Sequence, residues 1–580
     1  MHSSQLQLWS VDKLDAPRVW AGRPSIFEHV ERELAALRQI QANAPEPSAD
    51  GLAQPDQPDQ PDQLDQSDHD GLELALPDDE QHERGGLRWA AGALDGVMGR
   101  HAQVEDERLR AKQIVKAVRD LLGAARPAHL EHLTRLLTRA PVLGVLDDVL
   151  GELVGNGELD PDRFHALALF LVRGAPDREV VKLGISMLGV LVGCDERDTL
   201  LTIGHHEEFT LFCVVALAST LEDADHELWQ LAKGVRGWGR IHAVERLAQT
   251  GDPEIRAWLV REGFRNQVMD EYLAHTCAIA GDLAGALEAD IVDDPLLDGA
   301  AGILAALLNG GPAEDIEDYE QAPRAAAAYL RHLARRPEHR TLDLAHLLVV
   351  EQLREFIGPV GDELEDDETL RELGWTLEIR RVVLDMCARV VARPEWPRLV
   401  LEGLETESLE RFHQADAAAQ LLGIDAWSHH LRRVQASPRS SPSWFRLVQT
   451  EDEGRYTQAL QLAQQLLPLH EIATGPAEEV GLSREFDVHD TLLMVVQSLV
   501  DKPGRGLELL DTALRSPVTR VRRGALRVLI AWADEGELEA VPAEGGESRG
   551  GRALLEQAAA REVDEELATE MQQLLSRSGS

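Results

Sequence analysis

The chain has 580 residues and a formal net charge of −44, because 102 Asp and Glu residues stand against 58 Lys and Arg residues. A surface this acidic repels phosphate backbones, so general nucleic-acid binding is excluded as an expected function. Aromatic residues make up only 4% of the chain, and alternating β-branched runs are scarce, so the composition predicts an all-α protein. A chain of this length is too long for a single hydrophobic core, so the sequence predicts either several domains or an elongated repeat array.

The first predicted element is an arm, residues 1–42, that carries a short amphipathic helix. Ser25 has the position of an N-cap, directly after Pro24. Apolar residues then follow at helical spacing, namely Ile26, Phe27, Val30, Leu34 and Leu37. The pattern leaves two alternatives, in which the helix docks either onto the body of the chain or onto a partner.

The next segment, residues 43–86, reads QPDQPDQPDQLDQSDHD at its centre. Repeated proline removes backbone donors, and Asp and Gln side chains offer nothing to bury. Such a segment cannot offset the entropy of ordering itself. The sequence therefore predicts a disordered acidic linker rich in Pro, Asp and Gln.

Residues 87–540 show helical segments of about ten to eighteen residues separated by short Gly, Pro and Asp turns. In one example, Asp160 is a predicted cap, Pro161 opens a helix, and the helix ends near Gly174. Pro176 then opens the following helix. The expected product is an antiparallel helical hairpin with a tight turn.

Internal similarity links two stretches of this region, APDREVVKLGISMLGVL at residues 175–191 and SPVTRVRRGALRVLIAW at residues 516–532. The alignment pairs Pro176 with Pro517, Val180 with Val521, Lys182 with Arg523, Gly184 with Ala525, Ile185 with Leu526, and Leu188 with Leu529. A weaker copy starts at GDPEIRAWLV. These stretches resemble the second helix of HEAT-type, armadillo-like repeats. The resemblance implies an α-solenoid of antiparallel helical hairpins with one concave face, and the usual use of such arrays as interaction scaffolds.

A second break is expected at residues 541–552, where Gly and Ser replace apolar residues. Residues 553–580 then predict one C-terminal helix and a tail. The apolar face of this helix comprises Leu555, Ala559, Val563, Leu567, Met571 and Leu574. Its apolar repeat is too brief for a stable coiled coil, so the helix is expected to cap the array.

Cysteine usage and the hydropathy pattern predict a cytoplasmic protein without a membrane partner. Cys194, Cys213, Cys277 and Cys387 lie far apart in apolar helical context, as expected for buried thiols in a reducing compartment. The amino terminus lacks the pattern of a secretory signal. No apolar run reaches the length of about 18 residues expected of a spanning helix.

Two pairs of residues are the candidates for chemistry. His242 and Glu245 are three apart on one predicted helix, and Glu271 and His275 are four apart on a later one. Facing helices that each offer an imidazole and a carboxylate are able to enclose a metal ion. The alternative is that these are polar groups at helix interfaces, since a chain with 21 His and 102 acidic residues produces such spacings by chance.

The sequence favours a non-catalytic interaction scaffold over an enzyme. It contains no phosphate-binding loop, nucleophile elbow or dinucleotide fingerprint, and no cofactor is expected. The predicted partner is a protein, with a basic contact surface drawn to the acidic array. The competing hypothesis is a metal-dependent enzyme whose site lies between adjacent helices and uses the two His/Glu pairs.

Overall fold

A computed structural model describes residues 9–43, 75–82, 90–93, 95, 107–155, 159–191, 196–337, 342–358, 367–439, 442–481, 483–539 and 550–577. Most of the predicted linker at 43–86, most of the predicted break at 541–552, and Cys194 lie outside these residues. The chain divides into two compact units, residues 1–394 and residues 395–580. This division was not predicted, because residues 87–540 were expected to form one array.

The described residues confirm an all-α protein. Apart from one isolated bridge between Glu479 and Val518, the regular structure in these ranges is helical. Within the same ranges, no helix is both long enough and apolar enough to cross a membrane.

The α-helices of the first unit are α1 (Ala16–Val19), α2 (Ile26–Asn43), α3 (Asp79–His82), α4 (Glu107–Gly123), α5 (Pro127–Leu137), α6 (Leu146–Val154), α7 (Pro161–Gly174), α8 (Arg178–Gly189), α9 (Arg197–Gly204), α10 (Glu207–Thr220), α11 (Asp225–Gly234), α12 (Gly237–Arg246), α13 (Pro253–Trp258), α14 (Glu271–Ala280), α15 (Leu283–Leu287), α16 (Asp294–Asn309), α17 (Ala322–Arg335), α18 (Leu344–Ile357), α19 (Glu368–Glu372) and α20 (Leu377–Val391). A π-helical turn at Leu259–Gly263 follows α13.

The α-helices of the second unit are α21 (Trp396–Glu405), α22 (Leu409–Leu422), α23 (Trp427–Ala436), α24 (Ser443–Val448), α25 (Glu453–Leu466), α26 (Leu469–Ile472), α27 (Asp487–Gln497), α28 (Leu507–Leu514), α29 (Thr519–Asp534), α30 (Gly551–Ala559) and α31 (Glu565–Arg577). Its core joins buried residues from α23 through α31, including Trp444 and Trp532.

Alternate helices of the first unit pack in a continuous row. The members of this row, each packed on the next, are α8, α10, α12, α14, α16, α18 and α20. The helices between them pack beside the row, as α7 does on α8, α9 on α10 and α11 on α12. Close approach needs small residues at some crossings, and a Cβ at Gly184 would lie 2.9 Å from Cγ2 of Val172 on α7. Each hairpin thus buries its apolar stripe against its neighbours.

The predicted hairpin at Asp160 forms as expected. The Asp160 side chain accepts hydrogen bonds from the backbone N–H groups of Asp162 and Arg163, Pro161 is the first residue of α7, and the helix ends at Gly174. Proline at this position loses no helical hydrogen bond, and the carboxylate satisfies free amides of the first turn.

The two aligned stretches begin helices at equivalent positions, since α8 starts two residues after Pro176 and α29 two residues after Pro517. The four aligned apolar pairs from Val180/Val521 to Leu188/Leu529 are buried in both units. The aligned cations differ. The Lys182 side chain is 2% exposed, whereas that of Arg523 is 33% exposed and pairs with Glu566 at the surface.

The described part of the amino-terminal arm packs onto the body of the chain, which is the first of the two alternatives for its helix. Ile26, Phe27 and Val30 are buried, and α2 packs on α7 and α9. The backbone N–H of Ile26 donates to the carbonyl of Ala175 at 3.0 Å. The Trp20 ring also stacks on Phe170, with centroids 5.3 Å apart.

Two expectations from the sequence need correction, one about the linker and one about the C-terminal helix. Residues 75–82, assigned to the disordered linker, form an ordered segment with Leu76 and Asp78 buried. Composition missed this because Asp78 is held by an ion pair to Arg178, which lies far along the chain. The single C-terminal helix is two helices, α30 and α31, and Val563 lies exposed between them.

Candidate functional site

The predicted pair on α12 lies close together but is loosely bonded. Nδ1 of His242 is 3.7 Å from Oε2 of Glu245, and the two side chains are 13% and 45% exposed. Nε2 of His242 is buried and has no hydrogen-bond partner among the described residues. The imidazole packs near the Trp238 ring, with centroids 6.2 Å apart. The pair is therefore a half-buried polar contact on one helix.

The second predicted pair, on α14, is directed to other partners. Nδ2 of Asn309 donates to Oε1 of Glu271 at 3.4 Å. Nε2 of His275 lies 3.3 Å from the carbonyl oxygen of Asp318. Within the described ranges, no group of three or more His, Cys, Asp and Glu residues is placed to hold a metal ion. The structure thus brings together His242 and Glu245, but it does not join all four candidates in one ligand set.

The same helices do form a cleft, which we call the acidic cleft. It lies between α12, α14 and the loop before α17, with a volume of about 590 Å³. Its lining residues are Glu245, Tyr272, Thr276, Pro312, Ala313, Glu314 and Asp318. Every charged residue in this lining is a carboxylate, so the cleft attracts cations.

The backbone conformation at the start of α12 places Trp238 against Tyr272, a lining residue of the acidic cleft. Gly237 has φ +53°, a left-handed conformation that favours glycine. Its backbone N–H donates to the carbonyl of Asn266 at 2.7 Å. This contact ties α12 to the turn before α14, and the Trp238 ring packs on Tyr272 with centroids 5.3 Å apart. One aromatic wall of the cleft is thus supported from behind.

The opposite wall of the acidic cleft is a loop with its own anchors. Its backbone N–H at Ile316 donates to the carbonyl of Leu307 at 3.0 Å, and Ile316 is 4% exposed. The backbone N–H of Asp315 donates to Oδ2 of Asp318 at 3.1 Å. The buried isoleucine fixes the loop while Glu314 and Asp318 remain exposed. Carboxylates that are already held in position lose less conformational entropy when a cation binds.

A second group of charges is buried at the amino ends of α8 and α10. Nζ of Lys182 lies 2.6 Å from Oδ2 of Asp95, 2.7 Å from Oε1 of Glu208 and 3.1 Å from Oε1 of Glu179. The backbone N–H of Gly92 donates to Oε2 of Glu208 at 3.0 Å. We call the side chains of Lys182, Asp95, Glu179 and Glu208 the Lys182 cluster.

Burial and mutual contact shift the pKa values of Lys182, Glu208 and Asp95 in this cluster. Burial alone lowers the pKa of Lys182, but the carboxylates of Glu179, Glu208 and Asp95 raise it above its usual value. Burial also raises the pKa of Glu208, yet Lys182 and Arg178 lower it to about 2. Asp95 differs, because burial raises its pKa more than Lys182 lowers it. The cluster holds three carboxylates and one cation, and the pKa of Glu208 is lowered whereas that of Asp95 is raised.

Sequence reasoning missed the Lys182 cluster. The available signal was Glu179 and Lys182 three apart in EVVKLGISMLGVL, an ion pair inside an otherwise apolar helix. Its partners Asp95 and Glu208 lie on other segments of the chain, so the local pattern did not reveal that Lys182 is buried. The cluster is enclosed and connects residues 90–93 and Asp95 to α8 and α10, which is a structural role.

Comparisons of the chain with protein-family models, with curated proteins and with solved structures found no match. Inferences about function therefore depend on the geometry of the acidic cleft and of the charged groups around α8. The acidic cleft is the open site of the two, and it is suited to binding a cationic group through carboxylates beside an aromatic ring.

Proposed function

We propose that the chain is a cytoplasmic α-solenoid of HEAT-type hairpins that acts as a protein-interaction scaffold. In this proposal the acidic cleft binds a Lys- or Arg-rich segment of a protein partner. The scaffold needs no cofactor and performs no catalysis of its own.

The repeat part of the proposal is supported by the row of alternate helices from α8 to α20. Stacked antiparallel hairpins give this packing, because each hairpin in the row packs on the next one. The buried apolar positions shared by α8 and α29 add the same support from the second unit. A cytoplasmic setting is supported by Cys213, Cys277 and Cys387, which are free and buried.

The observation that carries the functional proposal is the lining of the acidic cleft. Glu245, Glu314 and Asp318 converge beside Tyr272 without a basic side chain among the lining residues. A lysine or arginine of a partner would pair with the carboxylates and pack its stem or guanidinium on the ring. The overall charge of −44 would speed the encounter, because long-range attraction raises association rates.

The proposal is tested by removing the carboxylates of the acidic cleft. The triple variant Glu245→Gln, Glu314→Gln, Asp318→Asn removes three charges, and labelled deca-arginine is the probe in fluorescence anisotropy. Each exposed ion pair contributes about 0.5 kcal/mol. Three such pairs predict a loss of about tenfold in affinity, since 1.4 kcal/mol corresponds to a factor of ten. Stopped-flow association of the wild type should slow steeply above about 0.15 M salt.

A matched control separates the acidic cleft from general surface charge. The variant Glu222→Gln, Glu254→Gln, Glu372→Gln removes the same charge from exposed positions elsewhere in the first unit. It should bind the probe within about twofold of the wild type, because distant exposed charges are screened. Equal losses in the two triple variants would show that the probe reads net charge only, and the proposed site would be wrong.

A further inference from the structure

Asp78 occupies a preformed anion site at the amino end of α8. Its Oδ2 accepts the backbone N–H of Arg178 at 2.8 Å, and its Oδ1 accepts Nη2 of Arg178 at 2.9 Å. Nε of the same guanidinium lies 3.2 Å from both carboxylate oxygens. One residue thus binds the carboxylate through its backbone and its side chain, at the positive end of a twelve-residue helix. We call this arrangement the Arg178 cradle.

The next residue, Asp79, completes the contact. Its Oδ1 accepts a second hydrogen bond from Nη2 of Arg178, and its Oδ2 accepts the backbone N–H of Leu76 at 2.9 Å. The Asp78 side chain is fully buried and the Arg178 side chain is 12% exposed. Burial lowers the pKa of Arg178, but Asp78, Glu208 and Asp79 raise it above its usual value. Two adjacent aspartates therefore share one guanidinium.

Electrostatic contacts dominate the hold on residues 75–82. Leu76 is the buried apolar residue of this segment, and α3 is only four residues long. Asp78 lies a hundred residues before Arg178 in the chain. A short segment with one apolar anchor gains little from burial, so its charges decide whether it stays bound.

We propose that the Arg178 cradle is a binding site for a pair of adjacent aspartates in an acidic segment of a protein partner. The chain's own Asp78 and Asp79 occupy this site as an internal ligand, which the partner's segment replaces. The site takes an acidic ligand, so it is separate in place and in charge from the acidic cleft proposed above. The partner's segment must compete with this internal occupant, which as a tethered ligand has an effective concentration of about a millimolar.

The test uses the full-length chain and the synthetic peptide ALPDDEQH, which copies residues 75–82. The variant Asp78→Lys, Asp79→Lys keeps the Arg178 cradle but places two ammonium groups beside its guanidinium. This variant should bind the labelled peptide at least about tenfold more tightly than the wild type, because the internal competitor is gone. Hydrogen exchange of residues 75–82 should become faster in the same variant.

Two controls assign the binding to the Arg178 cradle. Adding Arg178→Gln to the double lysine variant should remove the gain in peptide affinity. A peptide with both aspartates replaced by asparagine should bind neither protein. Exchange of α16, which is remote from the substitutions, reports whether the first unit remains folded.

Specific outcomes would overturn the proposal. Equal peptide affinity in the wild type and the double lysine variant would show that no competing internal ligand exists. Unchanged protection of residues 75–82 after charge reversal would show that the segment is not held by Arg178. Binding that survives Arg178→Gln would place the peptide elsewhere on the chain.

Discussion

Lys182→Met is the most direct test of the buried charges at α8. Methionine keeps the length of the apolar stem but removes the ammonium group. Asp95, Glu179 and Glu208 then lose the cation that lies within 2.6 to 3.1 Å of their oxygens. The Lys182 side chain is only 2% exposed, so water cannot replace the lost partner.

The expected cost is set by the carboxylates left behind. Removing one partner of a buried ion pair costs about 3 to 5 kcal/mol, because the remaining charge stays buried without compensation. Protonation of Asp95 would absorb part of this cost, since burial already raises its pKa. We therefore expect about 3 kcal/mol of lost stability in the first unit.

The sequence alignment provides the matched control. Arg523 stands where Lys182 stands in the aligned stretch, but it is 33% exposed and pairs with Glu566 at the surface. Arg523→Met should cost no more than about 1 kcal/mol, the range of surface ion pairs. Adding Glu208→Gln to Lys182→Met should recover part of the loss, because the two groups belong to one network.

Hydrogen exchange measured by mass spectrometry resolves these effects in each unit. Peptides from α8 and α10 report the opening free energy near Lys182, and peptides from α29 report that near Arg523. An opening free energy for Lys182→Met within about 1 kcal/mol of the wild-type value would refute the reasoning. Equal losses of opening free energy for Lys182→Met and Arg523→Met would refute it as well.

Three further predictions concern other groups. Ionised Glu208 should stabilise the first unit by about 3 kcal/mol above pH 4.5, and this stabilisation is lost as the pH falls towards the folded pKa of about 2. In urea unfolding, the difference in free energy of unfolding between wild type and Glu208→Gln should therefore shrink to about 1 kcal/mol at pH 3. Glu562→Gln leaves Arg522 buried without its anion, so α31 should exchange faster while α21 does not. Trp238→Ala should cost about 3 kcal/mol near α12, against about 1 for His242→Ala, measured by exchange of α12.

Periodicity predicted the burial of the aligned apolar positions in both units, but it also placed Val563 on an apolar face, and this residue is exposed. Val180 and Val521 are core residues because helices of a hairpin bury one stripe, and spacing alone identifies that stripe. The predicted cap was also confirmed, since Asp160 precedes Pro161 at the start of α7 and its carboxylate accepts two backbone N–H groups.

Charges were harder to predict, because their environment depends on distant segments. Lys182 was aligned with Arg523, but the fully buried arginine in α29 is the preceding residue, Arg522. Helical periodicity cannot distinguish a cation that meets buried carboxylates from one that reaches solvent. Similarly, Glu245 of the predicted pair lines the acidic cleft, but the pair was expected at a metal site or a helix interface, and the loop residue Asp318 was not foreseen.

Arg522 on α29 and Lys182 on α8 are buried cations on the two aligned helices. Its guanidinium donates to Glu562 at 2.8 and 2.9 Å and to the carbonyls of Ala477, Ser516 and Pro517. It thereby joins the connection between α30 and α31 to α29, as Lys182 joins Asp95 to α8. In both places a buried ion pair connects a segment outside the helix to the helix, and so contributes to fixing the register of that segment.

A buried ion pair adds little net stability over an apolar contact, but it tolerates only one geometry. The cation on α8 therefore positions more than its own neighbours. Gly92 lies where a Cβ would be 3.5 Å from Cβ of Trp238, and Trp238 supports Tyr272 in the acidic cleft. If Lys182 fixes this register, Lys182→Met should weaken deca-arginine binding at temperatures where the first unit remains folded, whereas Arg523→Met should leave it unchanged. Unchanged binding by folded Lys182→Met would confine the role of Lys182 to stability.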